Sequence, residues 1–489
     1  MQDFPPRGAA RRQRVAGDGT SQDAAWFNPA ELPYRFPFEE DTGQVLLGLS
    51  GGYGVGFRDD RHMVMVAGTR AGKTSTVLVP NLLRYRGPCV IIDPKGELAR
   101  LTAERRVAFG PVFVLDPFKK VPRSLSGVSF KGTNPLTPLL ASQNLPADCA
   151  QIADAMIVPS GGKDDAHWTG SAKNVIKALL LHIVLHRKPA EHTLATMRRL
   201  LNGPPLHLYN VFMEMADLPA DPTNKQAVEF DAAVKNSGGM FKGYAEMKPA
   251  ETAGGKPTFA KWTGEFLSIL SNARQQTDCF DDVAGVTDEN GFALADIGRR
   301  NMTIYLVIPA ERLDTHARWL RLVVMQALTA LQQNEIPLSD DPVWFVLEEF
   351  AALGYVSSIE TATSYIAGSG VKLWTILQGI TQLQHHYPKT WESFFGNAGV
   401  IQAFGVGEEA AKKLFSEMLG QARYEHRSSA PQNVDPMKGR MGAVNREWRL
   451  APLLSPDEVE QAFARETNRQ LVRIKGQDPM YLDRMPREG

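Results

Sequence analysis

The sequence predicts an α/β fold built on a mostly parallel sheet, with an all-α domain inserted into it. Seven short apolar runs recur along the chain with helical patterns between them, which is typical of parallel strands covered by helices on both faces. One run leads into a glycine-containing loop that opens a helix, and another ends in two carboxylates. A long interval without any such run separates the third strand from the fourth and predicts the inserted domain.

The predicted strands coincide with the apolar runs, which lie at residues 63–66, 89–92, 112–115, 303–308, 343–347, 372–377 and 400–404. Short strands and turns are expected before them over residues 26–60, where several glycines interrupt any helical pattern. Residues 1–25 are polar and rich in Arg and Gly, which predicts a disordered N-terminal tail. The segment 423–445, rich in Ser, Pro, Gly and Arg, predicts a mobile surface loop.

The interval between the third and fourth strands predicts helices and no alternating strand pattern. Its helical segments lie at 170–186, 192–202, 205–215, 225–239 and 263–273. Because this interval is too long for one crossover connection, residues 150–285 are assigned to an all-α inserted domain. The nucleotide-binding domain then comprises residues 26–149 and 286–489.

Composition limits the classes of function. The 489 residues are enough for two or three domains, and 43% hydrophobic with 22% charged residues is typical of a globular protein. Lys plus Arg equals Asp plus Glu at 54 each, so any DNA contact is expected to come from local basic patches.

Cysteine content and hydropathy predict a cytoplasmic protein. The three cysteines, Cys89, Cys149 and Cys279, are widely spaced, which indicates a reducing compartment and argues against a zinc framework. Neither an apolar run of membrane-spanning length nor a signal-peptide core occurs, so no integral membrane segment is expected.

The strongest site signal is the stretch 67–75, where an apolar strand passes through a glycine turn into a helix. It reads Ala67, Gly68, Thr69, Arg70, Ala71, Gly72, Lys73, Thr74 and Ser75. In this context backbone N–H groups and the helix N-terminus bind phosphate, Lys73 reaches the β- and γ-phosphates, and the Thr74 hydroxyl is a ligand of Mg²⁺. The usual motif has Gly where Ala67 stands, and an ordinary backbone conformation there tolerates the methyl group. The alternative is a chance glycine turn followed by Lys-Thr.

The partner signal is the strand 343–347, which ends in Glu348 and Glu349. Ligands bind at the carboxyl ends of parallel strands, so Glu348 is predicted to hold the water shell of Mg²⁺ and Glu349 to orient or deprotonate the attacking water. Successive side chains of a strand point in opposite directions, so only one acid is expected to face the phosphate directly. Two solvated glutamates at a surface strand end are the alternative. Together, loop and acids predict an NTP-hydrolysing core that uses ATP and Mg²⁺.

Further residues are candidates for the nucleotide site, and each has an alternative interpretation. Gln378 ends the sixth predicted strand, where its amide senses the γ-phosphate or the attacking water, or else caps a helix. Asp93 or Lys95 is a possible site member after the second strand, or part of an ordinary turn. Four arginines are candidates for a finger acting on a neighbouring subunit's nucleotide, and the sequence does not choose among Arg299, Arg300, Arg318 and Arg321.

With these motifs in order, the chain resembles the coupling-protein ATPases of type IV secretion and conjugative DNA transfer from about residue 44 to 485. The resemblance rests on the motifs at 67–74, 80–83, 93–98, 133–136, 349–354, 366–373, 378–383, 396–397 and 452–459. It implies a RecA-like ATPase ring, a homohexamer with an all-α domain, that recruits relaxase-bound DNA or protein substrates to a secretion channel. A non-translocating ATP-binding switch that recruits cargo is the alternative.

Two departures from the family pattern are present. The family usually has Asp-Glu where this chain has Glu348-Glu349, and the extra methylene moves the first carboxylate by about 1.5 Å. The family usually also carries N-terminal membrane helices, so the resemblance is to a form that lacks them.

Three basic clusters are candidates for contact with DNA, with a solvated charged surface as the alternative for each. They are Arg11, Arg12 and Arg14; Lys242, Lys248, Lys256 and Lys261; and Arg423, Arg427, Lys438 and Arg440.

Overall fold

The computed structural model describes residues 23–158, 165–218, 225–249, 257–333, 341–365, 370–429 and 444–486. The chain forms two compact units. The first contains the residues up to 86, 345–351 and those from 363 onward, and the second contains 87–344 and 352–362. The predicted inserted domain, 150–285, falls inside the second unit, and its boundaries stay a prediction.

Strands are numbered in chain order. Their bounds are β1 Val45–Ser50, β2 Tyr53–Phe57, β3 His62–Ala67, β4 Cys89–Ile92, β5 Val112–Leu115, β6 Val128–Ser129, β7 Ala245–Lys248, β8 Thr258–Trp262, β9 Thr303–Leu306, β10 Val343–Leu347, β11 Val371–Leu377, β12 Ala398–Phe404, β13 Gln421–Ser429, β14 Val444–Pro452, β15 Arg469–Ile474 and β16 Met480–Asp483. All seven predicted strands are present, as β3, β4, β5, β9, β10, β11 and β12, which confirms the α/β fold class.

The sheet of the first unit runs in the order β2-β1-β16-β15-β12-β3-β11-β10. Its centre is parallel, with β3 between β12 and β11. Its outer part is antiparallel, because β15 pairs with β12 and with β16, and β1 pairs with β16 and with β2. Every residue of β3, β11 and β12 is buried, as expected for parallel strands that are covered on both faces.

Most helices of the first unit follow one of its central strands. The helices of this unit are Leu32–Arg35, Val79–Arg84, Thr381–His386, Trp391–Gly396, Glu409–Leu419 and Pro456–Ala462, with a π turn at Thr74–Leu78. Helix Pro456–Ala462 begins with a capping box formed by Ser455 and Glu458.

The second unit contains the parallel strands β4-β9-β5-β6 and most of the helices. Its helices are Glu97–Arg106, Leu145–Met156, Asp165–His186, Leu194–Leu201, Pro205–Ala216, Lys225–Lys242, Gly264–Thr277, Cys279–Asp282, Ala284–Thr287 and Leu313–Gln333. Helix Ser357–Tyr365 begins in this unit.

The helical region is organised around Asp165–His186, which packs against the helices Leu145–Met156, Lys225–Lys242 and Gly264–Thr277. This region also contains a cluster of buried aromatic rings, formed by Phe212, Phe241, Trp262 and Phe266. Trp262 belongs to β8, which forms with β7 a hairpin inside the interval that was predicted to be helical.

The structure also bears on the expectations for the N-terminal tail, the loop at 423–445 and membrane-spanning helices. The tail predicted for 1–25 lies outside the described residues except for 23–25, where the Ala24 N–H donates to the Gln421 carbonyl. The loop predicted for 423–445 is wrong at both ends, because β13 and β14 pair there, and 430–443 lies outside the described residues. None of the helices in the described part of the chain has the length and apolar character needed to cross a membrane.

Candidate functional site

The phosphate-binding loop connects β3 to the helix that ends at Arg84. Ala67 is the last residue of β3 and therefore has strand conformation, which explains why a methyl group is tolerated where the motif usually has glycine. Gly68 allows the chain to pass against the carbonyl of Gly405, which an added Cβ would overlap. Gly72 has φ +95°, a conformation that favours glycine. Thr69 and Arg70 lie exposed at the tip of the loop.

The first turns of the following helix are irregular for an identifiable reason. Pro80 has no N–H to donate to the carbonyl of Thr76, so the regular ladder is interrupted and a π turn forms over Thr74–Leu78. Asn81 fastens this helix to β1, because its side chain accepts from the Leu46 N–H (2.8 Å) and donates to the Leu46 carbonyl (2.9 Å). The start of this helix is thereby fixed at the loop.

The two acids after β10 reach the two functional side chains of the loop. The Thr74 hydroxyl donates to Glu348 Oε1 at 3.3 Å, and Lys73 Nζ donates to Glu349 Oε1 at 2.9 Å. Lys73 and Glu348 are both buried. The structure thus brings together residues that the sequence separates by 274 and 276 positions.

Both acids contact side chains of the loop, and the expectation that only one of them faces the phosphate directly stays a prediction. Strand β10 ends at Leu347, so the alternation of a strand does not extend to the acids. Glu349 has φ +56°, a left-handed conformation that costs roughly 1–2 kcal/mol for a residue with a Cβ. This turn sends the Glu349 carboxylate to the same side as that of Glu348. Strained backbone of this kind is concentrated at functional sites.

Gln378 completes the cluster. It follows β11, and its Nε2 donates to both carboxylate oxygens of Glu349, at 2.8 and 2.6 Å. Its Oε1 accepts from the Thr69 hydroxyl at 2.9 Å. A continuous network therefore runs from Thr69 through Gln378 and Glu349 to Lys73, so Gln378 contacts the acid and not a helix end.

These residues fit a nucleotide with Mg²⁺. A hydroxyl and a carboxylate oxygen 3.3 Å apart are hard oxygen ligands of the kind that Mg²⁺ takes, so Thr74 and Glu348 would hold the ion. The longer side chain of Glu348 reaches Thr74, so the replacement of the family's usual Asp does not separate the pair. Lys73 would supply the cation for the phosphates.

Sequence reasoning missed Arg484. Its buried guanidinium donates to the Ala71 carbonyl within the loop and to the Arg465 carbonyl at 2.7 Å, and it lies over the ring of Phe404. The guanidinium thus fixes the loop backbone from behind. A lone arginine 413 positions away from Ala71 gives no motif that would have identified it.

The other candidates have structural roles or stay open. Asp93 is fully buried and accepts from the N–H groups of Glu97 (3.0 Å) and Ala99 (2.8 Å), so its carboxylate stabilises the first turn of the helix Glu97–Arg106. Lys95 is exposed. Among the arginines, Arg321 is buried within the chain, whereas Arg299 and Arg300 are exposed.

The basic clusters are only partly described. The N-terminal arginines and Lys256, Lys438 and Arg440 lie outside the described residues. Lys248 is exposed on β7, while Lys261 pairs with Glu246 at 3.3 Å and Arg423 with Asp23 at 3.4 Å. These carboxylates therefore partly compensate the charges of Lys261 and Arg423.

The sequence matches the model of the family described as type IV secretory system conjugative DNA transfer over residues 39–486. Among curated proteins it is 26% identical to Protein VirD4 of Rhizobium rhizogenes, an alignment that covers 87% of this chain and 59% of the relative. It is 24% identical to the type IV secretion system-coupling protein VirD4 of Bartonella henselae, covering 96% and 73%. The chain thus spans about three fifths of the length of the first of these relatives.

Solved structures of the plasmid coupling protein TrwB share the fold. One in complex with the non-hydrolysable ATP analogue ADPNP has a TM-score of 0.65 at 13% identity, covering 98% of this chain and 97% of that one. Another, in complex with ADP and Mg²⁺, has a TM-score of 0.63 at 12% identity, covering 96% and 95%. The predicted RecA-like fold with an all-α region is confirmed by this likeness.

Proposed function

The chain belongs to the type IV secretory system conjugative DNA transfer family, and we propose that it is an ATP-hydrolysing coupling protein. In this proposal it uses ATP and Mg²⁺ to recruit or translocate DNA or protein substrates. The observation that carries the proposal is the meeting of the phosphate loop with the acids after β10, where Lys73 lies 2.9 Å from Glu349 and Thr74 lies 3.3 Å from Glu348.

Each residue of the cluster has a proposed part in hydrolysis. Loop N–H groups and Lys73 bind the phosphates, and Thr74 with Glu348 holds Mg²⁺, which when bound neutralises charge that develops on the phosphate oxygens. Glu349 orients the attacking water and accepts its proton. Gln378, which donates to Glu349, senses the γ-phosphate through the same amide.

The proposed partners follow from the family. They are a relaxase–DNA complex or a protein substrate, components of a type IV secretion channel, and further copies of this chain in a homohexamer. The proposed location is the cytoplasm, at the inner membrane through partner proteins.

ATP hydrolysis by the full chain, measured with and without single- and double-stranded DNA, tests the proposal. We expect Mg²⁺-dependent hydrolysis that DNA stimulates. Lys73→Ala is the matched control, because it removes a charge-assisted phosphate contact worth roughly 1.5–3 kcal/mol, or about 10- to 100-fold in ATP affinity.

Equal ATP affinity and turnover in wild type and Lys73→Ala would contradict the assignment of the site. Hydrolysis that depends on Lys73 but does not respond to either form of DNA would instead favour the alternative function, an ATP-binding switch that recruits protein cargo.

A further inference from the structure

The turn that follows β12, residues 405–408, lies directly on the phosphate-binding loop. An added Cβ at Gly68 would overlap the Gly405 carbonyl, and one at Gly405 would lie 2.7 Å from the Cβ of Ala71. Gly405 has φ +59°, and its N–H donates to the Phe463 carbonyl at 2.7 Å. The position of this turn and that of the loop are therefore set together.

The last residue of the turn, Glu408, reaches the segment that follows Gln378. Glu408 Oε2 accepts from the Ile380 N–H at 2.5 Å, and Oε1 accepts from the Thr381 N–H at 3.1 Å and from the Thr381 hydroxyl. Gly379, the residue next to Gln378, packs so closely on this carboxylate that a Cβ there would lie 2.5 Å from Oε2.

Strand order explains how one turn makes both contacts. Strands β12 and β11 flank β3 and run parallel to it. Because β3 lies between β12 and β11, the turn after β12 contacts the loop after β3 and reaches past it to the segment after β11. This segment carries Gln378, whose amide contacts Thr69 in the loop and Glu349.

We propose that Glu408 is a positioning residue for ATP hydrolysis, which acts by fixing the backbone after Gln378 and so the direction of the Gln378 amide towards Glu349. The inference rests on the proposed function, in which Gln378 senses the γ-phosphate. Glu408 makes none of the phosphate or metal contacts assigned above, so its loss affects the hydrolytic step and not nucleotide binding. A residue that only capped the helix Thr381–His386 would affect stability alone.

A double-mutant cycle between Glu408→Ala and Gln378→Ala tests the inference, with kcat, the ATP dissociation constant and the melting temperature measured for the full chain. We expect Glu408→Ala to lower kcat by tenfold or more, towards the roughly hundredfold that a displacement of 1 Å can cause. The ATP dissociation constant is expected to stay within about twofold of wild type, and the double variant to be no slower than Gln378→Ala alone.

Ser455→Ala is the matched control, because it removes a helix cap in the same unit without contacting the nucleotide site. It is expected to lower the melting temperature and to leave kcat unchanged. Glu408→Gln, which keeps one acceptor oxygen, is expected to lower kcat by less than Glu408→Ala and serves if the alanine variant does not fold.

An unchanged kcat in Glu408→Ala, beside an impaired Gln378→Ala, would overturn the inference and leave the proposed function intact. Losses that multiply in the double variant would overturn it too, since Glu408 would then act independently of Gln378. A wild-type rate for Gln378→Ala would overturn the role of Gln378 in the proposed function, and this inference with it.

Discussion

The Lys73 ammonium group has two possible anionic partners. It contacts Glu349 at 2.9 Å, and the γ-phosphate of ATP would need the same cation. Phosphate binding would thus compete with this ion pair and free Glu349 from Lys73, while Gln378 also donates to the Glu349 carboxylate. The mobility of the Glu349 carboxylate would therefore depend on whether the γ-phosphate is bound, because the phosphate and Glu349 share Lys73 as a partner.

Substitution of each acid separates their proposed roles. Glu349→Gln keeps the shape of the side chain but removes the base, so we expect ATP to bind and turnover to fall by about 10²- to 10⁴-fold. Glu348→Gln weakens a metal ligand, so we expect a higher Mg²⁺ concentration for half-maximal turnover. Nucleotide binding and a Mg²⁺ titration of the hydrolysis rate measure the two effects. If Glu348→Gln alone abolished turnover and Glu349→Gln did not, the roles would be exchanged.

The residues that the sequence predicts at the site belong to contiguous motifs. Lys73 and Thr74 follow a glycine turn, and Glu348 and Glu349 follow an apolar strand. Arg484 and Glu408 contact backbone groups of other segments, and no sequence motif indicates contacts of this kind. Sequence therefore identifies residues of recognisable chemistry and misses those that hold them.

At the level of secondary structure, the strands that the sequence predicts are the ones that are buried along their length. Strands β3, β11 and β12 are buried throughout and are mostly apolar in sequence, with few polar residues such as Lys372 and Gln402. Strand β15 has polar and charged residues among its apolar ones and belongs to the antiparallel part of the sheet, so no apolar run marks it. Hairpin β7–β8 is mostly exposed and carries little apolar signal apart from Trp262, so it was missed as well.

The helix Glu97–Arg106 begins at a buried acid, Asp93, whose protonation makes the stability of the fold depend on pH. Burial raises the pKa of Asp93 from 3.8 to about 6, although hydrogen bonds from backbone N–H groups oppose the shift. A raised pKa means that the folded state binds the proton more tightly than the unfolded state. The contribution of Asp93 to stability is thus fully present below about pH 3.8 and is lost as the pH rises through about 6.

We therefore expect the stability of Asp93→Asn, relative to wild type, to improve as the pH rises from about 4 to 7, by at most about 3 kcal/mol. Urea unfolding across this range measures the difference. Thr193→Ala is the matched control, because Thr193 caps the helix Leu194–Leu201 of the same unit with a hydroxyl that does not titrate in this range. A difference between Asp93→Asn and wild type that did not change with pH would contradict the raised pKa.

At the scale of the whole molecule, the family assignment extends over residues 39–486 and includes both units. Motifs distributed along the chain made this resemblance visible in the sequence. The boundaries of the inserted domain were harder to place, because residues 150 and 285 lie within the helices Leu145–Met156 and Ala284–Thr287, and the surrounding helices belong to one compact unit. The proposed ring would depend on surfaces between copies, for which a single chain shows only candidate arginines.

Assembly is expected to depend on nucleotide if ATP lies between neighbouring copies and an arginine of one copy contacts the phosphates of the next. Exposed Arg299 and Arg300 are the accessible candidates. Sedimentation of the 53.9 kDa chain with a non-hydrolysable ATP analogue and Mg²⁺ should then detect a species of six copies that diminishes without nucleotide. Lys73→Ala should fail to assemble under the same conditions, because it loses the phosphate contact. A strict monomer at micromolar concentration, with nucleotide and with or without DNA, would contradict a ring motor.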